Sequence, residues 1–254
     1  QITLKAVSGE YKYNLQFINY DLNPHDSCRR VQEVKVLAIE TSGPVGGVAL
    51  VVDGRVAAEE LFEKGMVHGR ELAPAIKRVS AQTSILFEDL DLIAVDIGPG
   101  SFTGLRVGLA TAKGMCIALK KPVLGIASLD AMAEAALSNL TEKAVLCPVI
   151  DAKWNLLYAA LYSPQRTTDY LAEKPEDLVK HVPPEAIVFG TGMDNYGKLF
   201  EPRKTLGPEF AHPRPSFVGI LAERDHLAGK RQEPDKLVPL YLKKTEAEIR
   251  AKRK

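Results

Sequence analysis

The sequence predicts an α/β protein of two lobes, each built on a twisted mixed sheet, and three observations carry that reading. Leu90 to Ile126 reads as strand, glycine-rich turn, helix, strand. Before it stand apolar runs joined at Asp53-Gly54, a dipeptide favoured in tight hairpin turns. After it, KAVLCPVIDAKWNLLYAALYS gives a second strand pair, alternating through Leu157, Ala159 and Leu161. At 254 residues and 46% hydrophobic, the chain can bury a core in one large or two small domains.

Composition excludes several classes. A formal net charge of +1 gives no global drive toward nucleic acid or membrane. Three cysteines, Cys28, Cys116 and Cys147, are an odd number without C-x-x-C spacing, so neither a disulfide framework nor a zinc site is indicated. No uninterrupted apolar run of about 18 residues and no basic-then-apolar leader occur, so the expectation is a cytoplasmic protein without a membrane partner.

Residues 1–33 lack a clear apolar face and read as an extension outside the site argument. VKVLAIETSG is an apolar strand ending in Glu40-Thr41-Ser42-Gly43, and GGVALVVDGRVAAEELF supplies the next two strands. HGRELAPAIKRVSAQTSI is a helix with Leu72, Ile76 and Val79 on one face. A metal-binding histidine pair there would need a second histidine four residues after His68, where Leu72 stands, so His68 is a cap or an interface residue.

Leu92 to Ile97 fits a buried parallel strand. Gly98-Pro99-Gly100 ends it, Ser101 or Thr103 caps the next helix, and Pro122 stops that helix soon after Leu119. Gly104, Gly108 and Ala112 recur every four residues, as do Ala110, Gly114 and Ala118, giving two stripes almost without side chains. Each interior glycine costs up to about 1 kcal/mol relative to alanine, so close helix approach is the compensating use, within the core or across a subunit interface. A glycine-rich turn before a helix is also a generic anion site. GPGSFTG is neither a Walker loop nor a G-x-G-x-x-G fingerprint, and packing is the favoured reading.

The second lobe begins near Ser128, with a turn at Asp151-Ala152. AIVFGTGMDNYG is a strand entering a turn at Gly190-Thr191-Gly192. Ser216 caps a helix carrying Phe217, Ile220, Leu221 and Leu227. Residues 231–254 form a basic tail ending in Lys252-Arg253-Lys254, which is solvated or makes salt-sensitive phosphate contacts.

Glu40-Thr41-Ser42 at a strand end before a glycine hairpin resembles the first phosphate hairpin of the actin, sugar-kinase and Hsp70 superfamily, whose lobes have an RNase H-like fold. More specifically, VLAIETSG, HGRELAP, IGPGSFTGLRVGLATAKG and PVLGIASLDAMA resemble the TsaB (YeaZ) family, from about Val34 to the C-terminus. That resemblance implies a two-lobed ASKHA fold, with a first lobe over 34–127, a second over 128–213, and 214–230 returning to the first. It also implies a non-catalytic subunit supporting threonylcarbamoyl transfer to a tRNA adenosine next to the anticodon. The implied partners are a catalytic TsaD-type subunit, which carries the histidine pair absent here, a TsaE-type ATPase, and tRNA through the complex. A homodimer is the alternative when the chain is alone.

The partner interface would include His68, Arg70, Glu71, Gly104, Arg106, Gly108, Thr111 and Ala112, and Gly108→Leu is expected to weaken association while leaving the monomer folded. Candidate nucleotide or anion contacts are Glu40, Thr41, Ser42, Gly98, Gly100, Ser101, Asp151, Lys153, Gly190 and Gly192. No catalytic residue, metal ligand or intrinsic cofactor is expected, with ATP or ADP at or near the partner interface. The family's acidic strand end is usually followed by arginine and a charged run; Lys153-Trp154-Asn155 stands here instead. Two enzymatic rivals remain: an ATP-dependent kinase-like enzyme, and a metallopeptidase, whose case is weakened because none of the five histidines pairs at ligand spacing.

Overall fold

The computed structural model describes residues 33–62 and 68–242. The extension through Gln32 therefore lies outside the described residues. Strand β1 (Lys35–Glu40) pairs antiparallel with β2 (Gly47–Val52), and β2 with β3 (Arg55–Leu61). Asp53 and Gly54 join β2 to β3 at φ 49° and 68°, the left-handed backbone that a two-residue hairpin with matched twist requires. Helix α1 (His68–Thr83) follows, then β4 (Leu92–Gly98) parallel to β1, helix α2 (Phe102–Leu119), and β5 (Val123–Ala127) parallel to β4.

The resulting sheet has order β3-β2-β1-β4-β5. Side chains alternate across it. Leu37, Ile39, Val48, Leu50, Ile93 and Val95 pack toward α1 and α2, while Val36, Ala38, Ala49, Val51, Leu92 and Ala94 fill a core on the other face. Burial on both faces explains why these strands read as continuous apolar runs.

The second lobe opens with α3 (Ser128–Leu137) and continues through β6 (Leu146–Asp151), β7 (Leu157–Ala159), β8 (Leu171–Glu173), α4 (Pro175–His181), β9 (Ile187–Phe189), α5 (Gly192–Tyr196) and β10 (Lys204–Thr205). Its order is β10-β9-β6-β7-β8, with the first three strands antiparallel neighbours and β9 and β10 added in parallel on the far side of β6. That is the connectivity of the first sheet. One topology occurs twice, so Glu40 at the end of β1 and Asp151 at the end of β6 hold equivalent places.

Helix α6 (Pro215–Leu227) returns to the first sheet, with Val218 and Ala222 completing the core over β1, β2 and β4. The crossing is held by Glu59, whose carboxylate accepts from the Arg214 guanidinium and, at 3.0 Å, from the Ser216 N–H. Ser216 is therefore a buried position inside the helix; Arg214 occupies the cap.

Two further expectations are corrected. The second-lobe turn falls on Lys153, Trp154 and Asn155, all at positive φ, with Ala152 N–H donating to Leu156 O across it. The segment 231–242 is not a loose tail. Gln232 Oε1 accepts from Gly125 N–H of β5 at 3.0 Å, Leu237 is buried, and Leu240 N–H donates to Ile97 O near the end of β4 at 2.7 Å. The basic run itself lies in 243–254, outside the described residues.

Candidate functional site

Helix α2 starts at Ser101, whose Oγ accepts from Gly104 N–H at 3.2 Å and so satisfies a donor that would otherwise be orphaned at the helix start. Its glycine stripe turns inward. Thr41 Oγ1 donates to Gly104 O at 2.8 Å, and a Cβ added at Gly104 or Gly108 would stand 2.0 Å from Thr41 O or 2.3 Å from Thr41 Oγ1. Gly104, Gly108 and Ala112 are buried against the chain's own β1 end, so their assignment to the partner interface is corrected. Gly108→Leu would disrupt this lobe before it reached any partner.

The other stripe points out. Ala110, Gly114 and Ala118 are exposed, and a Cβ added at Gly114 meets nothing within 4 Å. Phe102 (47% exposed), Arg106 and Ile117 (71% exposed) share this surface. Tyr241 stacks on Phe102 with centroids 5.5 Å apart, and the Arg106 guanidinium lies 3.8 Å over the same ring while its Nε donates to the Tyr241 hydroxyl at 3.3 Å. Thr111 sits between the faces, its hydroxyl donating to Val107 O. On α1, Arg70 is exposed and Glu71 is half-buried between Arg70 and Arg78. The side chain of His68 lies outside the described residues.

Beneath the α2 start lie two buried carboxyl groups. Glu40 Oε1 accepts from Ser42 N–H at 2.6 Å and Ser42 Oγ at 2.5 Å, whereas Oε2 has no partner. Asp96 accepts from Gly98 N–H at 2.6 Å and Ser128 Oγ at 2.7 Å, and its Oδ2 lies 3.4 Å from Ser42 Oγ. Burial, then the neighbouring Asp96 charge, push the Glu40 pKa well above the usual carboxylate range; burial raises that of Asp96 to about 7. The pair therefore holds a proton at neutral pH. The sequence reading missed Asp96, although its signal was present: a lone acid within the apolar strand LIAVDIG.

Above this floor, a cleft of about 580 Å³ opens between the lobes. Ser42, Gly100 and Ser101 line one side, and Asp151, Lys153 and Thr191 the other. Glu40, Thr41 and Gly98 lie below it and do not line it. Gly190 and Gly192 pack instead into their own lobe, where an added Cβ would stand 2.3 Å from Val149 O and 2.8 Å from Leu157 respectively. Burial favours the neutral form of Asp151, but Lys153 Nζ and Lys153 N–H (each 2.8 Å) and Asn195 Nδ2 (3.1 Å) outweigh it and hold the carboxyl below its ordinary pKa.

A phosphate cradle needs unengaged backbone N–H groups. Here Ser42 and Gly43 N–H donate to Glu40, Ser101 N–H to Ser42 O, Ala152 N–H to Leu156 O, and Lys153 N–H to Asp151. Pro44 and Pro99 offer none. Among the described residues, no group of three or more histidine, cysteine, aspartate or glutamate side chains could hold a metal ion.

Duplicated hairpin-plus-parallel sheets around a cleft define a two-lobed protein of the actin, Hsp70 and sugar-kinase class. The family model for TsaD, the tRNA N6-adenosine threonylcarbamoyltransferase, matches residues 63–251. A TsaB protein of Buchnera aphidicola subsp. Schizaphis graminum is 34% identical over 146 residues, which are 57% of this chain and 68% of that one. The TsaB of Haemophilus influenzae is 28% identical over 228 residues, 84% of this chain and 95% of the relative. The YeaZ structure of Pseudomonas aeruginosa superposes with a TM-score of 0.73 at 25% identity, covering 82% of this chain and all of that one. The chain belongs to this threonylcarbamoyltransferase family, on its TsaB (YeaZ) side.

Proposed function

We propose that this chain is a non-catalytic subunit for tRNA threonylcarbamoyladenosine synthesis that heterodimerises with a TsaD-type catalytic subunit. The observation that carries the reading is the outward face of α2. It displays small residues, Ile117 and a stacked Phe102–Tyr241 pair with Arg106, while the inward stripe is fully used by the chain's own β1. Small residues let a partner helix approach closely, and a rigid aromatic with an arginine gives the contact a strong anchor. Relatives named as tRNA threonylcarbamoyladenosine biosynthesis proteins support the process. In this reading the chain works in the bacterial cytoplasm, a TsaE-type protein supplies ATP hydrolysis, and the tRNA adenosine is modified on the TsaD-type subunit.

The reading is tested by reconstitution. The expected result is threonylcarbamoyl transfer to tRNA only when the TsaD-type subunit and this chain are both present, and none by this chain alone. Full transfer without the chain would contradict it.

A further inference from the structure

Glu40 ends β1, Asp96 lies near the end of the parallel neighbour β4, and both carboxyl groups are fully buried. Ser42 stands between them. Its hydroxyl has one hydrogen, which goes to Glu40 Oε1 at 2.5 Å, so Asp96 Oδ2, 3.4 Å from the same oxygen, is drawn toward it only when Oδ2 itself carries a proton. Glu40 Oε2 has no hydrogen-bond partner among the described residues. One shared proton leaves the site a single buried charge, and its loss leaves two.

Each acid also holds a segment above it. Ser42, fixed by Glu40, accepts Ser101 N–H on its carbonyl oxygen at 2.6 Å, which ties the residues after β1 to the start of α2. Asp96 accepts from the Oγ of Ser128, the first residue of α3, where the chain passes from one lobe to the other. The surrounding groups are mostly acidic or neutral. Asp130 on α3 acts on Asp96 with the same sign, and Tyr170 faces it from the second lobe. Asp130 itself accepts from the Tyr162 and Tyr170 hydroxyls at 2.7 Å each, with Arg166 3.8 Å away. On the cleft side, His212 Nδ1 lies 3.6 Å from where a Cβ on Gly43 would stand.

We infer that the Glu40–Asp96 pair is a proton-operated latch at the lobe junction: one shared proton holds the residues after β1 and the start of α3 in place, and ionisation of both acids releases them. The strands cannot part, because their ladders fix the two acids side by side. The repulsion is relieved by admitting water from the cleft, whose wall includes Ser42 and Gly43. Burial sets the changeover near neutral pH, since it raises Asp96 to about 7 and Glu40 well above its ordinary value. The latch is therefore closed in mild acid and opens as pH rises through about 7.

Amide hydrogen exchange of the full chain at about pH 6 and about pH 8.5, expressed as protection factors so that the intrinsic pH dependence cancels, tests the latch. The expected result is at least a tenfold fall in protection at the higher pH for Ser42, Ser101 and the first hydrogen-bonded turn of α3, with β2 and β7 unchanged. Asp96→Asn and, independently, Glu40→Gln leave one acid, and the fall should shrink to under threefold in either; two variants at different strands keep the comparison available if one fails to fold. The parent profile also decides on its own. Equal protection at both pH values in the parent, a loss spread evenly over both sheets, or an undiminished tenfold fall in either variant would overturn the inference.

Discussion

The two lobes repeat one strand order yet treat their equivalent parts in opposite ways. The helix after β4 runs for 18 residues, whereas the helix after β9 runs for five. At the matching strand ends, Glu40 is sealed beneath α2 beside a second acid, while Asp151 faces the cleft with a lysine on it. The difference teaches that topology fixes where an acid stands and neighbours fix what it does. Desolvation with a like charge keeps the first pair protonated; a cation and an amide keep Asp151 ionised. The long first-lobe helix has two working faces. The second-lobe helix is too short to offer the same.

Substitutions can break this contrast, and the largest effects lie at the close approaches. Gly108→Leu drives a side chain into Thr41 and should destabilise the chain by about 3 kcal/mol. Gly190→Ala meets Val149 O and is strained at φ +113°, and should cost about 2 kcal/mol. Urea unfolding measures both.

Next is the buried acid pair. Because the folded-state pKa of Asp96 is raised to about 7, the folded chain holds protons that the unfolded chain has released above about pH 4. Stability from this group is full below that pH and is lost as pH rises through about 7. Asp96→Asn should flatten that fall and leave the variant more stable than the parent at pH 8, by about 2 kcal/mol. A parallel pH profile for the two proteins would contradict the buried-proton account.

Smaller effects come from Gly114 on the surface and Asp151 at the cleft. A Cβ added at Gly114 meets nothing, and Gly114→Leu removes a helix-interior glycine, so the melting temperature should rise, with a gain of about 0.7 kcal/mol. Asp151→Asn has the opposite pH sign to Asp96→Asn. The depressed pKa stabilises above the unfolded value and the effect disappears as pH falls through the folded one, so the variant should lose under about 1 kcal/mol at pH 7 and nothing in strong acid.

Much of the fold was legible because the strands are apolar on both faces and the turns carry their own chemistry, as Asp53-Gly54 and the Ser101 cap show. Spacing also revealed both small-residue stripes of α2. It could not say which stripe faced inward, because that depends on where Thr41 comes to rest, 63 residues earlier than Gly104. Gly190 and Gly192 looked like a ligand turn for a similar reason: a glycine beneath a strand and a glycine beside a ligand have the same local sequence. Asp96 is hard to read from sequence because it stands inside the apolar run LIAVDIG, and Tyr158 because a lone tyrosine in an alternating strand carries no local signal.

The most direct test of the partner reading is sedimentation velocity of this chain mixed with a TsaD-type subunit, with and without Gly114→Leu and Ile117→Asp. A one-to-one complex with the parent chain, lost in both variants while their melting temperatures do not fall, is the expected result. Complexes of equal affinity in all three, or a parent chain that only self-associates, would contradict the outward face of α2 as the heterodimer surface.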